Sequence, residues 1–170
     1  EHLTDISELV VKENADFGIV VDPDVDRLAL VCEDGSMFGE EYTLVACADY
    51  VLGKLGGGNT VSNLSSSRAL RDVTQKHGGT YTASAVGEVN VVIKMKETNT
   101  VIGGEGNGGI IYPASHYGRD SLVGVALFLS LMAHKKISCK ALRDSYPSYF
   151  MSKNKIQLTP QINVDLILEM

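Results

Sequence analysis

Phe17-Gly18-Ile19-Val20-Val21-Asp22-Pro23-Asp24-Val25-Asp26-Arg27-Leu28-Ala29-Leu30-Val31-Cys32 decides how the chain folds. Two short runs, largely apolar and rich in β-branched residues, flank the acidic segment 22–27. Runs of this length and composition, bounded by Asp and Pro, are those of strands buried in a sheet. Glu33-Asp34-Gly35-Ser36 follows, and Asp-Gly between apolar runs is a strong hairpin signal. Residues 16–38 therefore read as strand, acidic loop, strand and turn. Upstream, Ile6, Leu9, Val10 and Ala15 have near-helical spacing, with Asn14 as a stop.

A new unit begins near Gly39. Residues 41–55 read as a helix stopped by Gly56-Gly57-Gly58, and Thr60–Leu64 as a strand. Ser65-Ser66-Ser67 offers N-cap chemistry for a helix over about 67–77, closed by Gly78-Gly79. Strands are expected at Thr80–Ala83, Thr100–Gly103 and Ile110–Tyr112, and helices at Glu88–Lys96, Ser121–His134 and Ser138–Ser145. In the apolar helix the stripe Leu122, Val125, Ala126, Leu129, Met132 reads as core. Alternating strands and helices with short connections give the α/β class: a mixed sheet flanked by helices over 39–150, with 1–38 as a partial second α/β domain. Residues 151–170, with a possible strand at Lys153–Leu158 and Thr159-Pro160 after it, look like a linker into a further domain.

Of the 170 residues, 44 % are apolar and 21 % charged, an ordinary globular composition that excludes disorder. Fifteen Lys and Arg against 21 Asp and Glu leave a net charge of −6. That balance argues against nucleic acid and anionic membrane as partners, since both demand a basic surface. The most apolar run, 122–133, falls short of the roughly 20 residues of a bilayer span. No signal peptide opens the chain, so a cytoplasmic location is expected. The first residue is Glu1 rather than Met, which carries the expectation of a piece cut from something longer. Cys32, Cys47 and Cys139 are odd in number and widely spaced, and read as reduced, buried thiols.

Asp22, Asp24 and Asp26 alternate directly after a strand. Three carboxylates this close repel one another, and a hard divalent cation with oxygen ligands relieves that repulsion. Mg²⁺ is favoured where a phosphate oxygen and waters complete the shell, with Arg27 alongside as a phosphate partner. An EF-hand is excluded, because its sixth loop position holds Arg27 where a sharp turn needs Gly, and its flanks are strands. A solvated acidic turn that binds nothing is the plain alternative.

Gly103-Gly104-Glu105-Gly106-Asn107-Gly108-Gly109 contains a formal G-x-G-x-x-G, but an extended, Pro-stopped segment follows where a dinucleotide site needs a helix. What remains is a glycine-rich loop with Glu105 and Asn107 as its polar side chains. A carboxylate beside an amide suits sugar hydroxyls, while a bare turn is the alternative. Ser65-Ser66-Ser67-Arg68 reads as a cap, and Glu88 as a carboxylate complementing a helix dipole, with a site role as the lesser reading. His116 and Tyr117 read as surface. Asp120 reads as the cap of the apolar helix, and nothing local gives Arg119 a site role.

Taken in order, these segments resemble the α-D-phosphohexomutase family. Asp22-Pro23-Asp24-Val25-Asp26-Arg27 is similar to its D-x-D-x-D-R metal loop, and Gly104-Glu105-Gly106-Asn107-Gly108 to its G-E-x-S-G sugar loop. The Ser-Ser-Ser-Arg and Val86-Gly87 segments sit in matching places. Within the family, the wording Val86-Gly87-Glu88-Val89-Asn90-Val91 is most similar to phosphoglucosamine mutases; phosphoglucomutase and phosphomannomutase are the alternatives. Asn107 stands for the usual Ser, and Gly109 where many relatives carry His. The resemblance implies transfer of a phosphoryl group between C1 and C6 of a hexose or hexosamine phosphate, through a phosphoserine and a bisphosphate intermediate. It implies Mg²⁺ on Asp22, Asp24 and Asp26, a phosphate contact from Arg27, and sugar contacts from Glu105, Asn107 and Glu88. The family's T-x-S-H-N-P phosphoserine loop and last-domain phosphate loop are not in this sequence. The expectation is thus a fragment, with 1–38 the end of domain 2, 39–150 domain 3 and 151–170 the lead into domain 4. Its partners would be domains 1 and 4 of its parent chain, and alone it would be inactive. A non-catalytic sugar- or calcium-binding module is the competing class.

Overall fold

Strand pairing organises the chain into two sheets that share one core. The structure, a computed structural model, describes residues 3–152. Helix α1 (Thr4–Lys12) precedes an antiparallel pair, β1 (Phe17–Val21) and β2 (Leu28–Cys32), in which Phe17 faces Cys32 and Val21 faces Leu28. The acidic segment is therefore the loop of a hairpin. Asp34-Gly35 forms a second turn, as its residue types require: Gly35 has φ +81°, and Val31 bridges back to Met37.

After α2 (Glu40–Leu55), the strands β3 (Asn59–Asn63), β4 (Tyr81–Ser84), β5 (Thr100–Glu105) and β6 (Gly109–Ile111) form a sheet in the order β4-β3-β5-β6. β3 runs parallel to β4 and β5, and β6 returns antiparallel to β5. The sheet is mixed, as expected. Helices α3 (Ala69–Lys76) and α4 (Glu88–Glu97) make the parallel crossovers, and α5 (Ser121–Lys135) and α6 (Cys139–Asp144) close the unit.

Side chains alternate across β3. Val61 joins Val91 and Met95 of α4 on one face, while the Thr60 hydroxyl meets that of Thr74 of α3 at 2.6 Å on the other. The larger core lies on the α2/α3 side and takes in Leu28 and Leu30 of the hairpin, Leu44 and Leu52 of α2, Ile102, and Phe128 of α5. Phe17 and Phe38 both pack edge-on against Phe128, with centroids 5.4 and 5.2 Å away. Burying side chains of this size contributes about 1.5–3 kcal/mol each, so the hairpin is fastened to the second unit by shared apolar area. All three cysteines are free and buried.

Two expectations need correction. The stripe Leu122, Ala126, Leu129 on α5 is exposed, and Val125 and Met132 are only half-buried; the core face is Ser121, Gly124, Phe128 and Leu131. Almost every position of this helix is apolar, so periodicity selects no face. Size selects it instead: a Cβ on Gly124 would stand 3.0 Å from Ile110 and 3.1 Å from Leu28, so the helix approaches with its smallest residues. The serine run also caps only in part. Ser67 Oγ accepts from Ala69 N at 3.2 Å, but Ser66 Oγ accepts from Gly106 N in the glycine-rich loop at 2.9 Å. The possible strand at Lys153–Leu158 and the segment after it lie outside the described residues, and among the described residues no helix is long and apolar enough to cross a membrane.

Gly104 shows why β5 carries glycine near its end. Its φ is +152°, and a Cβ there would stand 2.0 Å from the backbone oxygen of Gly109 on the paired strand. Gly104→Ala is expected to pry β5 from β6 and destabilise the protein by roughly 2–4 kcal/mol, the range of backbone clashes at special φ/ψ. An unchanged melting temperature would contradict the pairing described.

Candidate functional site

Loop 22–27 is shaped by its first aspartate. Asp22 Oδ1 accepts from the backbone N–H groups of Asp26 and Arg27, both at 3.1 Å, and Oδ2 accepts from Arg27 Nε at 2.6 Å. Burial works against the charge on Asp22, but these donors outweigh it and hold the carboxyl at a pKa of about 2. Val25 sits at φ +58°, a left-handed conformation rare for a β-branched residue. Its carbonyl accepts from both the Oγ and the backbone N of Ser121, at 2.8 and 3.3 Å, so the start of α5 grips the loop.

One carboxylate oxygen from each of Asp22, Asp24 and Asp26 lies within 4.8 Å of the others. Asp26 Oδ1 is buried with no hydrogen-bond partner among the described residues, a costly state for a carboxylate oxygen. Burial, with Asp22 and Asp24 nearby, raises the Asp26 pKa despite the attraction of Arg119. Arg27 Nε stands 3.5 Å from this oxygen, an ion pair that leaves it without a hydrogen bond, and such an oxygen in an all-carboxylate donor set fits a hard divalent cation.

The glycine-rich loop stands directly against this cluster. Leu28 N, one residue past the acidic loop, donates to the Gly108 carbonyl at 3.0 Å. Gly108 has φ +87°, and a Cβ there would lie 2.3 Å from the Leu28 oxygen, so only glycine permits the approach. Asn107 Oδ1 accepts from Gly109 N at 3.2 Å, and Asn107 shares a cleft of ≈ 230 Å³ with Asp22, Arg27 and Glu40. Glu105 is buried: Oε1 accepts from Asn63 Nδ2 at 2.6 Å, and Oε2 from Arg119 Nη1 at 3.0 Å. A larger concavity of ≈ 630 Å³ lies away from the acidic loop, between the C-terminal ends of α1 and α5, walled mainly by apolar side chains such as Phe17, Met132 and Ile137.

Sequence reasoning missed Arg119. Its guanidinium reaches three carboxylates: Nη2 pairs with Asp26 Oδ2, Nη1 with Glu105 Oε2 at 3.0 Å, and Nε with Glu88 Oε2 at 3.2 Å. Its backbone N also donates to Glu88 Oε1 at 3.0 Å. Glu88 therefore clamps an arginine as well as heading a helix. Arg119 bridges to Ile111 of β6, and Asp120 caps α5 by accepting from Val123 N at 3.0 Å, which fixes the arginine from both sides. The one usable sequence signal was indirect: Glu88 and Glu105 have no cation within five residues on either side, and the three aspartates of the acidic loop have Arg27 alone beside them. Asp22, Asp24, Asp26, Glu88 and Glu105 here meet Arg27 and Arg119, which leaves an excess of negative charge for a cation.

Comparison with known proteins gives a consistent result. Residues 39–149 match the family described as phosphoglucomutase/phosphomannomutase, alpha/beta/alpha domain III, and residues 1–35 match its domain II. A phosphoglucomutase/phosphomannomutase of Thermococcus kodakarensis is 34 % identical over 155 residues, covering 91 % of this chain and 34 % of that protein. A phosphoglucosamine/phosphogalactosamine mutase of Sulfurisphaera tokodaii is 30 % identical, over 98 % of this chain and 37 % of that one. A crystal structure of a phosphoglucomutase/phosphomannomutase family protein from Burkholderia thailandensis superposes with a TM-score of 0.77 at 26 % identity, covering 86 % of this chain and 32 % of that one. The chain spans about a third of the length of the curated relatives it matches.

Proposed function

Since the chain belongs to the phosphoglucomutase/phosphomannomutase family, we propose that it supplies the cation-holding and sugar-facing parts of an enzyme that moves a phosphoryl group between C1 and C6 of glucosamine phosphate. The observation that carries the reading is the meeting of two loops distant in sequence, joined by the Leu28–Gly108 backbone bond and by Arg119 between Asp26 and Glu105. Phosphoryl transfer asks the protein mainly for charge neutralisation and positioning, and both ingredients are side by side here.

Asp22, Asp24 and Asp26 would hold Mg²⁺, which supplies Lewis-acid polarisation of a phosphate oxygen and a template for its orientation. Asp22 already has its loop-closing bonds, Asp24 is exposed, and Asp26 Oδ1 faces Arg27 Nε at 3.5 Å but accepts no hydrogen bond among the described residues, so each carboxylate has an oxygen lone pair to offer. Arg27 is half-exposed beside them and held upright through Nε by Asp22, a suitable donor to a phosphate. Asn107, in the same cleft, would contact the sugar, and Glu105, buried on Asn63 and Arg119, would do so only by giving up part of those bonds. The phosphoserine of the reaction belongs to another part of a longer protein, together with the first and last domains, and the 170 residues alone are inactive.

The test is a coupled mutase assay on the full-length protein carrying this chain, with glucosamine, glucose and mannose phosphates compared by kcat/KM. Glucosamine phosphate is expected to lead. A lead by glucose or mannose phosphate reassigns the substrate within the family. Sugar binding without turnover of any of the three overturns the enzyme reading in favour of a binding module. Turnover by the 170-residue chain alone overturns the division of labour.

A further inference from the structure

We propose that Arg119 is a positioning residue that locks Asp26 in its cation-binding orientation and couples the acidic loop to the glycine-rich loop. The inference rests on reading Asp22, Asp24 and Asp26 as a metal site, and goes beyond it by assigning the group that holds the site in register with the sugar-facing side.

The geometry divides the Asp26 carboxylate in two. Oδ2 is taken by Arg119 Nη2, whereas Oδ1 is buried, accepts no hydrogen bond among the described residues, and has only the longer 3.5 Å approach of Arg27 Nε recorded against it. An arginine on one oxygen fixes the rotamer that aims the other at a ligand, as hydrogen-bond partners behind metal ligands do elsewhere. The same guanidinium holds Glu105 and Glu88 through different nitrogens, so its plane is set by three elements: the β1–β2 loop, the end of β5 and the start of α4. A planar fork with fixed donor directions can do this, whereas a lysine ammonium is a point charge on a flexible stem. Two residues on, Ser121 holds Val25 of the acidic loop from the same stretch of chain. Segment 119–121 thus grips the acidic loop at adjacent residues, once by side chain and once by backbone.

Simple electrostatics gives the opposite expectation, which makes the proposal decidable. A cation beside the triad repels a divalent ion, so removing the Arg119 charge should tighten metal binding if charge were its whole contribution. If orientation dominates, removal weakens binding. The experiment titrates Mn²⁺ into the protein, reading free Mn²⁺ by electron paramagnetic resonance, with Arg119→Gln, Arg119→Lys, Glu105→Gln and Arg119→Gln/Glu105→Gln compared at matched melting temperature. Arg119→Gln is expected to weaken Mn²⁺ roughly 10–100-fold, the range typical for partners of metal ligands. Arg119→Lys, which keeps charge and approximate length, should recover only part of this. If the Gln variant fails to fold, the Lys variant carries the test, and wild-type affinity in it overturns the proposal.

Glu105→Gln should also weaken Mn²⁺, because Arg119 loses an anchor, but should add nothing once Arg119 is Gln. Additive effects in this cycle overturn the coupling between the loops. Unchanged or tighter binding in Arg119→Gln overturns the positioning role while leaving the metal reading intact. A wild-type protein that takes up no Mn²⁺ overturns the metal reading and this inference with it.

Discussion

Asp24→Asn is expected to lower kcat of the full-length protein by roughly 10²–10³-fold, the several kcal/mol that a bound metal contributes to charge stabilisation during phosphoryl transfer. The fold should not register the change. Asp24 is exposed at the tip of its loop, and an amide there relieves repulsion with Asp22 and Asp26, so unfolding free energy should move by no more than about 0.5 kcal/mol, toward greater stability. A steady-state assay beside a denaturation curve separates the two. Normal turnover removes Asp24 from the ligand set; lost turnover with a collapsed melting temperature assigns it a structural task instead.

A comparably large effect, this time on stability, is expected away from the acidic loop. Asp49, in the middle of α2, is nearly fully buried and is met by His77 Nε2 at 2.8 Å, Lys135 Nζ at 3.0 Å, the Tyr146 hydroxyl at 3.2 Å and Lys76 Nζ at 3.4 Å. It gathers the C-terminal ends of α3 and α5 and the end of α6 onto α2. Burial opposes its charge, but His77 and Lys135 outweigh burial and bring its pKa down to about 2. Burial and the neighbouring Asp49 together push the Tyr146 phenol up. Asp49→Ala leaves the buried Tyr146 hydroxyl and the half-buried His77 ring without their acceptor and should cost about 3 kcal/mol.

The pH dependence has a definite sign. A carboxyl whose folded pKa is depressed stabilises fully above its unfolded value near 4, and that contribution is lost as pH falls toward about 2. The shift corresponds to about 2 kcal/mol. Wild-type stability should therefore fall between pH 4 and 2, with Asp49→Asn flatter over the same window. Parallel curves for the two would show that Asp49 is not the group responsible.

The hairpin around the acidic loop was legible because its signals are local: a β-branched run, three aspartates, a second run, then Asp-Gly. The mixed sheet followed from the alternation of such segments. The two loops stood out as candidate sites for the same reason, since Asp22–Arg27 and Gly103–Gly109 are each contiguous. Arg119 was not, because its meaning comes from Asp26, Glu88 and Glu105, which tertiary structure alone brings to it. Asp49 was hidden similarly, as one polar residue within a helix whose partners lie on three other segments. The buried face of α5 was misjudged since hydrophobicity was everywhere on it; the deciding quantity was the small size of Ser121 and Gly124.

Val25 is held away from the backbone geometry its side chain prefers. A β-branched residue bent to φ +58° has an easier, extended geometry available, and two bonds from Ser121 keep it from springing there. The acidic loop is thus a cocked catch whose sear is the first turn of α5. Should that turn shift, Val25 would swing open and carry the aspartates on either side of it in divergent directions, undoing the carboxylate cluster without a single aspartate being replaced.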